Sequence, residues 1–227
     1  SCAIKVAEYF SIPSVVSLGE SSFDTYVKHF DRQIIKTQLD KFDKIIAVSN
    51  GLKEKCVEEY GYPPDRIRVI PNAVDPGIFF PRSRCKSRKT LRLPMSATIG
   101  IAVGSFSVRK GYKKFHKIAE SIKCLNMIYL GSGPEKPAGK NILYAGEVPH
   151  EEVPLWLAAA DFFVHPSEAE GSSNAILEAL ACGLPTVVND IASNRELLDE
   201  KKAIFFDARS SSQIKKAISD IVRNSEK

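Results

Sequence analysis

The chain has 227 residues, of which 44% are apolar and 26% charged, with a net charge of +5. That length admits one large or two small domains with a buried core. The modest positive charge gives no indication of nucleic-acid binding and suits an anionic small molecule or weak attraction to an acidic membrane surface. The five cysteines, Cys2, Cys56, Cys85, Cys124 and Cys182, are odd in number, scattered and without metal-ligand spacing, so they read as free thiols of a reducing compartment. The sequence has no charged-then-apolar leader and no apolar run long enough to span a bilayer, so neither a signal peptide nor a transmembrane helix is expected.

In chain order, short strands are predicted at Pro13 to Leu18, Asp43 to Ser49 and Arg66 to Pro71, with helical patterns at Thr25 to Leu39 and Gly51 to Tyr60 between them. A basic stretch follows, with Arg82, Arg84, Lys86, Arg88, Lys89 and Arg92, and reads as a solvated linker over 81–94; membrane or partner contact is the other reading. Beyond it, strands are predicted at Thr98 to Phe106, Met127 to Gly131, Ile142 to Gly146, Asp161 to Pro166, Thr186 to Asn189 and Ala203 to Phe206. Helices alternate with them, the last near Ser211 to Val222. This alternation predicts an α/β chain: a complete C-terminal Rossmann-like domain over 95–227 with a doubly wound parallel sheet, preceded by a partial lobe over 1–80.

Chemistry concentrates at two strand-to-helix junctions. In Glu170-Gly171-Ser172-Ser173-Asn174-Ala175-Ile176-Leu177-Glu178, two glutamates are separated by seven residues across the start of a helix predicted from Ala175 to Cys182. Ser173 or Asn174 is the candidate N-cap. Unpaired amides and the helix dipole favour an anion there without any basic side chain. Glu178, about one turn in, can accept from both hydroxyls of a ribose, and Glu170 can accept from sugar hydroxyls. The plainer reading is a solvated loop acid and an acid placed near a helix start. The second junction is Val103-Gly104-Ser105-Phe106-Ser107-Val108-Arg109-Lys110-Gly111, where Gly104 permits close backbone approach and Lys110 can reach a diphosphate. Alternatively Arg109, Lys110, Lys113, Lys114 and Lys117 form one solvated helix face.

These stretches, together with Gly131-Ser132-Gly133-Pro134-Glu135, Gly146-Glu147-Val148-Pro149, Ala181-Cys182-Gly183-Leu184-Pro185 and Asn194-Arg195-Glu196, resemble the family 4 glycosyltransferases. Upstream, Phe42-Asp43-Lys44-Ile45-Ile46-Ala47-Val48-Ser49 and Val69-Ile70-Pro71-Asn72-Ala73-Val74-Asp75 extend the resemblance, which covers about residues 40 to 210. It implies a GT-B fold and metal-independent transfer of a hexose from a nucleotide diphosphate sugar, with retention, to a glycan or lipid-linked acceptor.

Residue by residue, the resemblance implies Lys110 on the donor diphosphate, Glu170 on the transferred sugar and Glu178 on the ribose. It also implies amides near Ser172, Ser173 and Asn174 on phosphate or sugar, and Gly146 to Val148 along the base. The family usually carries an arginine after the glycine that Gly104 matches; here Ser105 stands there, and Arg109 is the candidate for the missing charge. The short first lobe implies a chain truncated relative to the family. No cofactor beyond the donor substrate is expected, and the location is expected to be cytoplasmic with peripheral contact at the inner face of a membrane. A non-catalytic nucleotide-sugar-binding module is the alternative. A dinucleotide-dependent oxidoreductase is disfavoured, because Gly131-Ser132-Gly133 lacks the third glycine of that fingerprint.

Among the histidines, His29 and His116 read as surface helix residues, His150 as a polar loop start and His165 as the end of a buried strand. Trp156 reads as a packing anchor.

Overall fold

The computed structural model describes residues 2–19 and 30–225 and divides the chain into two compact units, 1–72 with 170–172 and 73–169 with 173–227. His29 and the first part of the helix predicted from Thr25 lie outside the described residues.

In the first unit, α1 (Cys2–Phe10) precedes β1 (Val15–Leu18), α2 (Arg32–Leu39), β2 (Lys44–Ala47), α3 (Asn50–Tyr60) and β3 (Ile67–Val69). The strands form a parallel sheet in the order β1-β2-β3, with Val16 opposite Ile45 and Ile45 opposite Ile67. Local chemistry sets the helix limits: Asp31 accepts from the Gln33 amide at 2.7 Å to start α2, and Ser49 accepts from the Leu52 amide to start α3. The core includes Leu18, Leu39, Ile45, Ala47, Cys56 and Ile67. Burial pushes the Cys56 thiol up to about 11, so it packs as an inert small side chain. The helix α1 has no counterpart in the sequence reading.

The second unit holds a six-stranded sheet, all parallel, in the order β6-β5-β4-β7-β8-β9, as the alternation predicts. Its strands are β4 (Thr98–Val103), β5 (Leu125–Leu130), β6 (Ile142–Gly146), β7 (Phe162–His165), β8 (Thr186–Asn189) and β9 (Ala203–Phe206). The helices are α4 (Arg84–Thr90), α5 (Tyr112–Ala119), α6 (Val153–Ala159), α7 (Asn174–Ala181), α8 (Ala192–Leu197) and α9 (Ser211–Ser225). The strands are apolar at successive positions because both faces are covered. Ile99, Ile101, Ile128, Phe163 and Val188 enter one core with Leu157, Ile176 and Ala179. Ala102, Met127, Tyr129, Phe162, Val164 and Val187 enter the other with Phe115, Ile214 and Ile218. Trp156 is an anchor, packed at a tilt of 37° against Tyr144 with centroids 4.6 Å apart.

Two readings are corrected. The stretch expected as a solvated linker contains α4, started by Ser83, and its Arg88 is only 3% exposed. The Arg88 guanidinium donates to the carbonyls of Ala159 (2.8 Å), Met95 and Ala97 (2.9 Å each) and to Asp161 Oδ2 (2.7 Å), which also accepts from the Ile99 amide at 2.7 Å. Arg84 pairs with the other oxygen of Asp161. A basic run that looks solvated thus stitches the amino ends of β4 and β7 together. The second correction is His116, which sits on the apolar side of α5, 1% exposed, with Nδ1 3.1 Å from the Tyr129 hydroxyl. Burial holds its imidazole below the usual value, so it is a neutral core residue at pH 7. Lys113, Lys114 and Lys117 are exposed around it.

Candidate donor-binding site

The strand order reverses between β4 and β7, and the loops leaving the carboxyl ends of those two strands hold Lys110 and the approach to α7. In doubly wound sheets such a switch point opens a crevice for ligands. A cavity of about 740 Å³ lies instead at the amino ends of the strands, around Asp161, Thr186 and Ala203. Its arginines Arg82 and Arg84 are committed to the Ile78 carbonyl and to Asp161, so the carboxyl edge is the better candidate on chemical grounds.

The loop after β4 is tied to its neighbours by backbone. Gly104 N–H donates to the Leu130 carbonyl at 2.9 Å and Phe106 N–H to the Ser132 carbonyl at 2.6 Å. Gly131 N–H then donates to the Gly146 carbonyl at 2.8 Å. The glycines of Gly131-Ser132-Gly133 serve this close approach: a Cβ on Gly131, at φ +144°, would overlap the Gly104 carbonyl oxygen. Gly131→Ala is therefore expected to cost about 2–3 kcal/mol, combining a strained backbone with overpacking, read as a lower midpoint of chemical unfolding. A midpoint within experimental error of the parent would contradict the close-approach role.

Lys110 closes a short 3₁₀ turn, Val108–Lys110, and is 9% exposed, unlike the lysines of α5 that follow it. Its chain folds back over Gly104, where an added Cβ would stand 3.6 Å from Nζ. Ser105 is exposed in the same loop. Arg109 points elsewhere: its guanidinium donates to the Ala169 carbonyl, and the Glu168 amide donates to the Arg109 carbonyl at 3.0 Å. The Arg109 side chain thus holds the loop after β7 against the loop after β4.

At α7, Ser173 is the N-cap and is buried, but its hydroxyl makes no capping bond; only its carbonyl is used, accepting from Leu177 N–H at 3.3 Å. Asn174 is exposed at the first helical position. The first-turn amides are left open to an anion. The Ser172 hydroxyl just before is buried and has no hydrogen-bond partner among the described residues. Glu178 lies one turn further, its side chain 11% exposed, with His150 Nε2 3.4 Å from Oε1. Glu170 and Ser172 group with the first unit, whereas Lys110, Ser173, Asn174 and Glu178 belong to the second.

The loop from Gly146 to Val148 leaves β6 beside the Gly131 loop. Ser132 Oγ donates to Glu147 Oε1 at 2.6 Å, Tyr144 Oη to the Glu147 carbonyl at 2.8 Å, and Val148 packs on the core. His165 is fully buried at the end of β7, stacked on Phe163. Asn194 is buried under α8 and donates to the Asn189 carbonyl, while Arg195 pairs with Asp190 and Glu200. That motif is a brace for the strand ends. His150, read from sequence as a polar loop start, is the residue that reasoning passed over; its position two residues beyond Val148 is the one signal that pointed to it.

Comparison with known proteins matches residues 97–224 to the family described as "Glycosyl transferases group 1" and residues 12–77 to "Glycosyltransferase Family 4". TuaC of Bacillus subtilis, named for teichuronic acid biosynthesis, is 27% identical over 224 residues, covering 95% of this chain and 57% of that protein. The UDP-Gal:alpha-D-GlcNAc-diphosphoundecaprenol alpha-1,3-galactosyltransferase of Escherichia coli is 31% identical over 174 residues, covering 68% of this chain and 44% of that protein. Among solved structures, Alr3699/HepE of Anabaena in complex with UDP-glucose superposes with a TM-score of 0.82 at 17% identity, covering 98% of this chain and 66% of that one. The chain spans about half the length of the curated relatives it matches. Among the described residues no helix is long and apolar enough to cross a membrane.

Proposed function

This chain belongs to the group 1 glycosyltransferases, with the GT-B architecture of its structural neighbours, and from that premise we propose that it carries the donor-binding half of a retaining hexosyltransferase. The donor is a nucleoside diphosphate hexose and the acceptor a glycan or lipid-linked sugar. The observation that carries the reading is one carboxylate, Glu178, set one turn behind the uncapped start of α7, in the same unit as the nearly buried Lys110 at the sheet's switch point.

In this reading the α7 amides and Lys110 hold the diphosphate, and Glu178 accepts from the ribose hydroxyls. Gly146 to Val148 line the base, and Glu170 binds the hexose. Ser105 brings no charge, and Arg109 acts by holding the loops rather than by touching phosphate. The acceptor hydroxyl attacks the anomeric carbon on the face from which the diphosphate departs. As that carbon–oxygen bond breaks, charge grows on the diphosphate, where preorganised amides and an ammonium are most effective. No metal is assigned a part. The lysines of α4 that remain exposed, Lys86 and Lys89, supply a weak attraction to an acidic membrane surface.

The test is calorimetry against UDP, GDP, ADP and their hexose conjugates, followed by transfer assays. Glu178→Ala is expected to weaken nucleoside diphosphate and nucleotide sugar alike, by about 10- to 100-fold, because a charge-assisted hydrogen bond is worth about 1.5–3 kcal/mol. Glu170→Ala is expected to weaken the sugar conjugate selectively. Equal losses for both ligands in both variants would refute this division of roles. Donor binding without transfer, with the full-length first lobe supplied, would leave a nucleotide-sugar-binding module.

A further inference from the structure

His150 is not needed to form the site just described, yet it is the side chain that meets Glu178. Its Nε2 lies 3.4 Å from Oε1, and among the described residues no other side chain donates to that carboxylate. A carboxylate only accepts, so the imidazole must present Nε2–H, with Nδ1 directed to other groups. Glu178 is nearly buried, where an anion with few donors is costly. One donor satisfies part of its roughly four acceptor positions, and the rest are left for hydroxyls.

His150 is itself fixed in a particular way. Its side chain is 68% exposed, so burial does not hold it. What does is Pro149, the residue before the turn His150–Glu152, the Val153 amide donating to the His150 carbonyl, and an edge contact of the ring with Phe79 at 5.5 Å between centroids. Phe79 is 4% exposed and belongs to the core of the same unit. The imidazole is thus a short strut between a rigid aromatic and a glutamate, placed two residues beyond the loop that lines the base.

We propose that His150 is a positioning residue for nucleotide recognition: by donating to Oε1 of Glu178 it fixes the carboxylate so that the remaining acceptor positions meet the ribose diol. This rests on the assignment of Glu178 to the ribose. It couples the base-lining loop to the ribose glutamate, so that sugar selectivity of the nucleotide depends on a residue outside the glutamate motif.

The experiment measures calorimetric affinities of the whole chain for UDP and GDP and for their 2′,3′-dideoxy counterparts. The parent is expected to prefer the ribose form of whichever base it binds by about 10-fold or more. His150→Phe keeps a ring against Phe79 but removes the donor; it is expected to cut that preference to about 2-fold or less while leaving dideoxy affinity unchanged. His150→Gln, whose amide can donate to the same oxygen, is expected to restore most of it. A His150→Phe variant that keeps the full preference, or loses affinity for both forms equally, overturns the inference and leaves the role of Glu178 intact. A parent without ribose preference overturns both.

Discussion

Lys110→Ala is expected to lower transfer by on the order of 10²–10³-fold, the size of effect seen when one preorganised group facing developing charge is removed. The argument rests on placement. Lys110 is 9% exposed, whereas Lys113, Lys114 and Lys117 on the helix that follows are exposed. Burying an ammonium costs free energy that solvent-facing lysines do not bear, and an amine set beside a ligand crevice is strengthened by the same low dielectric that makes burial costly. Because Ser105 supplies no second cation and Arg109 is committed to the Ala169 carbonyl, no neighbour in the loop replaces the lost charge. Single-turnover rates with a saturating donor separate the effect on chemistry from that on binding. A Lys110→Ala variant with the rate and donor affinity of the parent would remove Lys110 from the mechanism, and Lys113→Ala serves as the exposed control that should change little.

Arg88→Met is expected to destabilise the second unit by about 3–5 kcal/mol, because it leaves the buried Asp161 with the Ile99 amide and the more exposed Arg84 as its remaining partners among the described residues. It also strips three carbonyls, those of Ala159, Met95 and Ala97, of their donor. For a chain of this size that corresponds to a drop of about 10 °C in the thermal midpoint. The double variant Arg88→Met with Asp161→Asn is expected to recover part of the loss, since it removes the stranded charge while the carbonyls stay unsatisfied. A single variant as stable as the parent would mean that the ion pair contributes nothing beyond the apolar packing of α4. Both experiments bear on the same sheet from opposite ends: Lys110 at the carboxyl edge, where the donor is proposed to bind, and Arg88 at the amino edge, where the fold is held.

Much of this architecture is legible in the linear sequence. The strands β4, β5, β7 and β8 are mostly apolar runs bounded by polar loops, as a strand buried on both faces requires. Ser49 before α3 and Gly61 after it act within a few residues of their own position, so the local chain suffices to read them. The α4 segment escaped for the opposite reason. Its arginines carry no apolar periodicity, and the worth of Arg88 lies in Asp161 and Ala159, more than seventy residues away. His116 was misread in the same manner: lysines around it suggest a wet helix face, and only the contact with Tyr129 on β5 shows that the histidine faces inward.

The alternation of strands and helices, the parallel doubly wound sheet and the two strand-to-helix loops proposed to meet an anion can all be read along the linear chain. These follow from periodicity, glycine placement and helix starts, which are short-range properties of the chain. It takes the folded chain to show that Arg109 is spent on a loop carbonyl, that Gly131 must be bare to let the Gly104 carbonyl pass, and that His150 stands against Glu178. Each of these is a meeting of groups 27 to 60 residues apart, and contact at that range is set by packing, to which local sequence is blind.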